Sequence, residues 1–253
     1  MFERKLSFKP SAGPTPEEYT RPDLPRLACL EELIVKSPYL TDLAAYNRLE
    51  ALTFAYYRQC VDRAVSNNPR VAYYPGIGGG SEPLDPISAF CALGVDEVIG
   101  VDIQVCRNPD WNPIGYRVDK ALEKIAKQDE YKIEILSAND TSGEFIFDGT
   151  KRRITYYKGD AEVFMPSGDF KVIYQRRDTY LVTNLPSEVV DRAKLIYCLD
   201  DNDYLPERVA DFALTHGFSV IDLGFVYKTL SGNEGQSSFA WHGNPQLAIR
   251  YNI

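Results

Sequence analysis

The stretch VAYYPGIGGGSEPLDPISAFCALGVDEVIGVDIQ, residues 71–104, decides how the rest of the chain is read. Val71 to Tyr74 is a short apolar run of the kind that forms a buried strand, and glycines at Gly76, Gly78, Gly79 and Gly80 follow it at once. Pro86 to Leu93 then reads as a helix closed by Gly94, and Glu97 to Val101 as a second strand that delivers Asp102 at its end. Strand, glycine turn, helix and strand make up the repeating unit of a parallel sheet. Glycines let such a turn visit positive φ and leave bare backbone for a ligand to approach. A carboxylate at the tip of the next strand can accept both hydroxyl hydrogens of a ribose, so the combination predicts a nucleoside cradle.

Two ligand classes compete for such a cradle. A dinucleotide requires G-x-G-x-x-G, with its pyrophosphate on the helix N-terminus, but the sixth position counted from Gly76 is Ser81, and Pro83, Asp85 and Pro86 follow. Asp85 would set a negative charge beside the pyrophosphate. The spacing Gly76-x-Gly78-x-Gly80 instead suits a nucleoside without phosphates, carrying an amino-acid tail. An ordinary tight turn between strand and helix would also use these residues.

Beyond this stretch, apolar runs keep alternating with helical patterns. Asp119 to Lys127 reads as a helix. The runs KIEIL, EFIF and RRITYY, separated by NDTSG and DGTK, read as a hairpin feeding a core strand. Phe170 to Tyr174 and Lys194 to Leu199 are further strands, with a short helix near Ser187 to Arg192 between them. Pro206 to Thr215 is a helix stopped by His216-Gly217, Phe218 to Leu223 a strand, and Leu247 to Ile253 the terminal strand. No convincing helix lies in Ser231 to Pro245, so the last strand is expected to return antiparallel.

On the N-terminal side, Pro10, Pro14, Pro16, Pro22 and Pro25 among polar residues read as an arm. From Leu27 to about Val65 a helical period takes over. Leu43, Ala44, Leu49, Leu52, Thr53, Tyr56 and Val61 fall at spacings near three and four, which predicts one long amphipathic helix packed on the sheet. The expected division is therefore an arm and helical extension over residues 1–66 and an α/β domain over residues 67–253.

Composition narrows the partners. With 28 Lys and Arg against 36 Asp and Glu the net charge is −8, which repels a phosphate backbone, so no nucleic-acid partner is expected. No apolar run approaches the roughly 20 residues of a membrane span, and the N-terminus has no apolar signal region, which predicts a soluble cytoplasmic protein without a membrane partner. The five cysteines, Cys29, Cys60, Cys91, Cys106 and Cys198, are scattered and never spaced CxxC, the pattern of reduced thiols. Only His216 and His242 are present, too few for a histidine-rich metal site, and no metal is expected. The acidic cluster Asp200, Asp201 and Asp203 reads as a capping turn before Leu205-Pro206. Tyrosine doublets at Tyr73-Tyr74 and Tyr156-Tyr157 should send one ring to each side of the sheet as packing devices.

A second motif strengthens the cradle. In YYKGDAEVFMPSGDFKVIY, Gly159-Asp160-Ala161 falls at a strand end. A carboxylate there can accept an adenine amino hydrogen, while Ala161 offers a backbone N–H to the ring; a plain Gly-Asp turn is the alternative.

On these residues the chain from about Arg70 to Ile253 resembles the class I S-adenosylmethionine-dependent methyltransferase superfamily. It has that family's G-x-G-x-G loop at Gly76 to Gly80, its ribose acid at Asp102 and its GDA motif at Gly159 to Ala161. GDAEVFMPSGDFKVI is similar to the family's GDA-x-x-(L/F)-P-x-x-x-FD-x-(V/I) run. The resemblance implies a Rossmann-like, seven-stranded, mostly parallel sheet with an antiparallel last strand and helices on both faces. It also implies S-adenosylmethionine as cofactor, and a binding set of Tyr74, Gly76, Gly78, Gly80, Asp102, Ile103, Asp160, Ala161, Tyr174 and Gln175. The chain departs from the family in carrying Tyr74 where an acidic residue usually stands two positions before the first loop glycine.

Methyl transfer needs positioning rather than an enzymic nucleophile, and no catalytic residue is assigned. Tyr174 or Asp178 could act as a weak base if the acceptor must lose a proton, and Arg176 and Arg177 are a solvated strand end or an anchor for an acidic substrate. Trp241-His242 either lines an acceptor pocket or packs down with the histidine outward. The expected activity is methyl transfer to a small-molecule or polar acceptor. Alternatives are an aminopropyltransferase-like enzyme, opposed by Tyr174-Gln175-Arg176 where that family has an Asp, a non-catalytic ligand-sensing or interaction module, and an NAD-dependent dehydrogenase.

Overall fold

The computed structural model describes residues 26–66, 69–76, 85–102, 117–176, 180–199, 206–222, 226, 229–230 and 246–250. Three helices open this part of the chain: α1 (Leu27–Lys36), α2 (Pro38–Tyr46) and α3 (Arg48–Ala64). The expected single long helix is thus broken twice, and each break has a local cause. Pro38 has no N–H to donate into a continuing helix, and the Ser37 hydroxyl accepts from Leu40 N at 3.0 Å to start a new one. At the second break Asn47 Oδ1 accepts from Glu50 N at 3.2 Å while its amide donates to Glu50 Oε2 at 2.8 Å, a reciprocal cap.

The remaining elements are β1 (Val71–Pro75), α4 (Asp85–Leu93), β2 (Glu97–Asp102), α5 (Val118–Ile125), β3 (Glu134–Ala138), β4 (Ser142–Phe147), β5 (Thr150–Lys158), β6 (Val172–Arg176), α6 (Tyr180–Asn184), α7 (Ser187–Arg192), β7 (Leu195–Leu199), α8 (Pro206–Thr215), β8 (Ser219–Asp222) and β9 (Gln246–Ile249). They form one Rossmann-like sheet in the order β3-β4-β5-β2-β1-β6-β7-β9-β8. Strands β5, β2, β1, β6 and β7 run parallel, and β9 enters antiparallel between β7 and β8, as the resemblance implies. The sheet has nine strands rather than seven, because the β3–β4 hairpin joins its edge by pairing antiparallel with β5. The turn that joins β4 to β5 is built by Asp148 at φ +53° and Gly149 at φ +67°, two consecutive left-handed residues as a tight hairpin requires.

Each face of the sheet carries its own apolar layer. One holds α3, α4 and α5 against Ala72, Tyr74, Val98, Ile154, Tyr174 and Tyr197. The other holds Tyr73, Ile99, Val101, Ile173, Ile196 and Cys198 with Ala161, Phe170, Val182, Val189, Val209 and Ala213. Tyr73 and Tyr74 therefore do send their rings to opposite faces, and the helices that precede the sheet are part of its first layer. Cys29, Cys60, Cys91 and Cys198 are in no disulfide among the described residues. Among the described residues no helix is long and apolar enough to cross a membrane.

A buried ion pair ties the N-terminal helices to the β4–β5 turn. Arg58 Nη1 donates to Asp148 Oδ2 at 2.7 Å, Ser37 Oγ lies 2.8–2.9 Å from both Asp148 oxygens, and Tyr39 N donates to Asp148 Oδ1 at 2.8 Å. Arg58 also donates to the Cys91 carbonyl at 2.8 Å, closing the C-terminal end of α4. Burial alone would raise the Asp148 pKa, but the Tyr39 N–H, the Arg58 charge and the Ser37 hydroxyl outweigh it and hold the carboxyl below its ordinary value.

Candidate functional site

The order of the sheet fixes where a ligand can sit. β1 pairs with β2 on one side and with β6 on the other, so the chain reverses its direction of travel across the sheet at β1. In open α/β sheets the crevice beyond the carboxyl ends of the strands at such a point receives the ligand.

The tips there are closely tied. Val101 lies opposite Pro75 in the register, and the next residue, Gly76, donates its N–H to the Val101 carbonyl at 2.8 Å. Gly76 holds φ +63°, and a Cβ there would collide with Leu181 Cδ1 of α6 and lie 3.9 Å from Gln175 Nε2. The left-handed backbone favours glycine there, and a side chain would also have to push the end of Leu181 aside. Asp102 is half-buried at the end of β2, and its carbonyl accepts from Gly159 N at 2.9 Å. Asp102 and Asp160 thus leave neighbouring strand tips joined by a main-chain hydrogen bond.

The GDA segment folds as a tight turn. Asp160 Oδ1 accepts from Glu162 N at 2.9 Å, and the Asp160 carbonyl accepts from Phe164 N at 2.8 Å. The Asp160 side chain is exposed and Ala161 is buried. Glu162 in turn accepts from Asn184 Nδ2 at 2.9 Å, which couples this turn to α6. Neither Leu181 nor Asn184 was expected at the site, because the five residues of α6 offer no usable periodicity.

Other expected residues fall elsewhere. Tyr74 and Tyr174 are each 1% exposed. Their rings meet edge to face at 5.1 Å, Tyr174 stacks on Tyr197 at 5.3 Å, and the Tyr174 hydroxyl is 2.6 Å from Ser88 Oγ. Both side chains belong to the packed layer under the tips. Gln175 is fully buried, with its amide toward the glycine turn. Gly78, Gly80 and Ile103 lie outside the described residues, as do Ser81, Arg177, Asp178, Asp200, Asp201, Asp203, Trp241 and His242.

Tyr73 is the residue that the reading of the doublets as packing passed over. It is 0% exposed, its ring lies 5.4 Å from that of Phe170, and its hydroxyl is buried without a hydrogen-bond partner among the described residues. Burial and, after it, the neighbouring Asp160 charge push the phenol above its ordinary range.

No protein-family model and no curated protein matches the chain. Solved structures that match include precorrin-6y C5,15-methyltransferase of Geobacter metallireducens, 13% identical over 66% of this chain and 72% of its own, with a TM-score of 0.36. The N-methyltransferase NodS of Bradyrhizobium japonicum, in complex with S-adenosyl-L-homocysteine, is 11% identical over 90% and 98%, with a TM-score of 0.39. The tRNA methyltransferase TrmK of B. subtilis is 8% identical over 86% and 66%, also at 0.39. These likenesses are too loose to assign an activity, which has to rest on the chain's own topology and tips.

Proposed function

We propose that the chain binds S-adenosylmethionine across the tips of β1, β2 and β5 and transfers its methyl group to a small-molecule or polar acceptor. The observation that carries this reading is Gly76, left-handed on the β1 tip at the switch point, with Asp102 and Asp160 leaving the tips of β2 and β5, which are joined through Gly159 N–H and the Asp102 carbonyl. The acceptor set is right for an adenosine: carboxylates accept from ribose hydroxyls and from an exocyclic amine.

In this reading Asp102 accepts the ribose hydrogens, Asp160 accepts from the adenine amine and Ala161 N–H faces the ring. Gly76, Gly78 and Gly80 let the amino-acid tail lie along the backbone, with Ile103 flanking the nucleoside. Gln175 lines the β6 side, and Tyr74 and Tyr174 support the floor from within the core. When bound, the cofactor supplies an electrophilic methyl carbon on a sulfonium. The chain contributes orientation for an in-line displacement, which brings most of the acceleration without a nucleophilic side chain.

Titration calorimetry with S-adenosylmethionine, S-adenosylhomocysteine, decarboxylated S-adenosylmethionine and NAD tests this. Saturable binding of the first two is expected. Preference for the decarboxylated form would replace methyl transfer by aminopropyl transfer, and binding of none would remove the cradle.

A further inference from the structure

A buried hydroxyl without a hydrogen-bond partner costs about 1–3 kcal/mol, so a native chain that keeps one needs a reason. Tyr73 keeps one. Its phenol is fully buried at the middle of β1, in the same apolar layer as Ile99 and Val101 of β2, Phe170 before β6, and Ala161, the residue next to Asp160. Phenylalanine would fill that space without the orphaned oxygen. The nearby titratable group that acts on this phenol is Asp160, on the tip already assigned to the adenine.

Asp160 has acceptor capacity to spare. A carboxylate offers about four lone-pair sites, and the Glu162 N–H takes one on Oδ1. The side chain is exposed, so water solvates the rest as the chain stands. A nucleoside seated on the tips displaces that water, and the carboxylate must then find donors among the adenine amine and the protein beneath it.

We propose that Tyr73 is a positioning residue of the cradle: its buried O–H is the donor that fixes the Asp160 carboxylate beneath a bound adenine, so that the remaining lone pairs face the exocyclic amine. This rests on the adenosine reading above. It deepens that reading by giving the base specificity a device, a Tyr–Asp pair that holds an acceptor where adenine has a donor and hypoxanthine has a carbonyl.

The test is a double-mutant cycle on the full chain with Tyr73→Phe and Asp160→Ala, titrated with S-adenosylhomocysteine and with S-inosylhomocysteine. Tyr73→Phe should leave the melting temperature of the free protein unchanged or raised, because only the orphaned oxygen is removed. It should weaken S-adenosylhomocysteine binding about tenfold and reduce discrimination against the inosine analogue by the same factor. In the Asp160→Ala background the Tyr73 substitution should change nothing further. Wild-type affinity in Tyr73→Phe, or an equal loss with and without Asp160, overturns the pairing while leaving the cradle in place. Failure of the wild-type chain to bind S-adenosylhomocysteine is a different result: it removes the adenosine reading and this inference with it.

Discussion

Gly76 carries more of the account than any other residue. At φ +63° an L side chain is strained by roughly 1–2 kcal/mol, and a Cβ would also have to displace the end of Leu181. Gly76→Ala should therefore lower unfolding stability by about 1–2 kcal/mol in urea titration and weaken nucleoside binding, since Leu181 is pushed across the tips. Stability and affinity both equal to wild type would show that the turn relaxes freely. Asp102 makes a separate prediction. Asp102→Ala removes charged acceptors from the ribose and should weaken S-adenosylmethionine binding by about 1.5–3 kcal/mol. Unchanged affinity would misplace the ribose. The strand-end positions of Gly76, Asp102 and Asp160 were legible in the sequence because each follows a β-like run whose end is easy to see. Tyr73 was not: a tyrosine in a buried strand looks like packing until its hydroxyl is found without a bond.

Among the elements, the N-terminal helices show what periodicity cannot supply. Apolar spacing over Leu27 to Val65 has the right period throughout, but Ser37-Pro38 and Asn47-Arg48-Leu49-Glu50 carry start signals that divide it. The division matters because it brings Ser37 and the Tyr39 N–H to Asp148, more than 100 residues away in the chain. Asp148→Asn breaks a buried ion pair from one side and should cost about 3 kcal/mol at pH 7. The native pKa of Asp148 is depressed, so its contribution is fully present above the unfolded carboxyl pKa of about 3.9 and is lost as pH falls through the lower folded value. The gap between wild type and Asp148→Asn in urea unfolding should therefore narrow as the pH falls below about 4. A gap that stays constant over that range would mean that Asp148 titrates as an ordinary carboxyl.

At the scale of the whole molecule, the parallel core and the returning last strand followed from local patterns, since β1, β2, β6, β7, β8 and β9 are short, largely apolar runs set off by turn residues. The strands β3, β4 and β5 were legible from the turns NDTSG and DGTK, the second of which sets β4 against β5, but their place at the sheet edge depends on β5 pairing with β2, a contact that no local pattern prescribes. The topology also explains why the site is where it is. Reversal at β1 opens the crevice, β2 and β5 set Asp102 and Asp160 on one side of it, and β6 sets Gln175 on the other.

The most direct measurement is a crystal structure of the chain with S-adenosylhomocysteine. The adenosine should lie over Gly76, with its ribose hydroxyls on the Asp102 carboxylate and its exocyclic amine on Asp160. Ligand density at another edge of the sheet, or over Gly76 with neither carboxylate in contact, would contradict it.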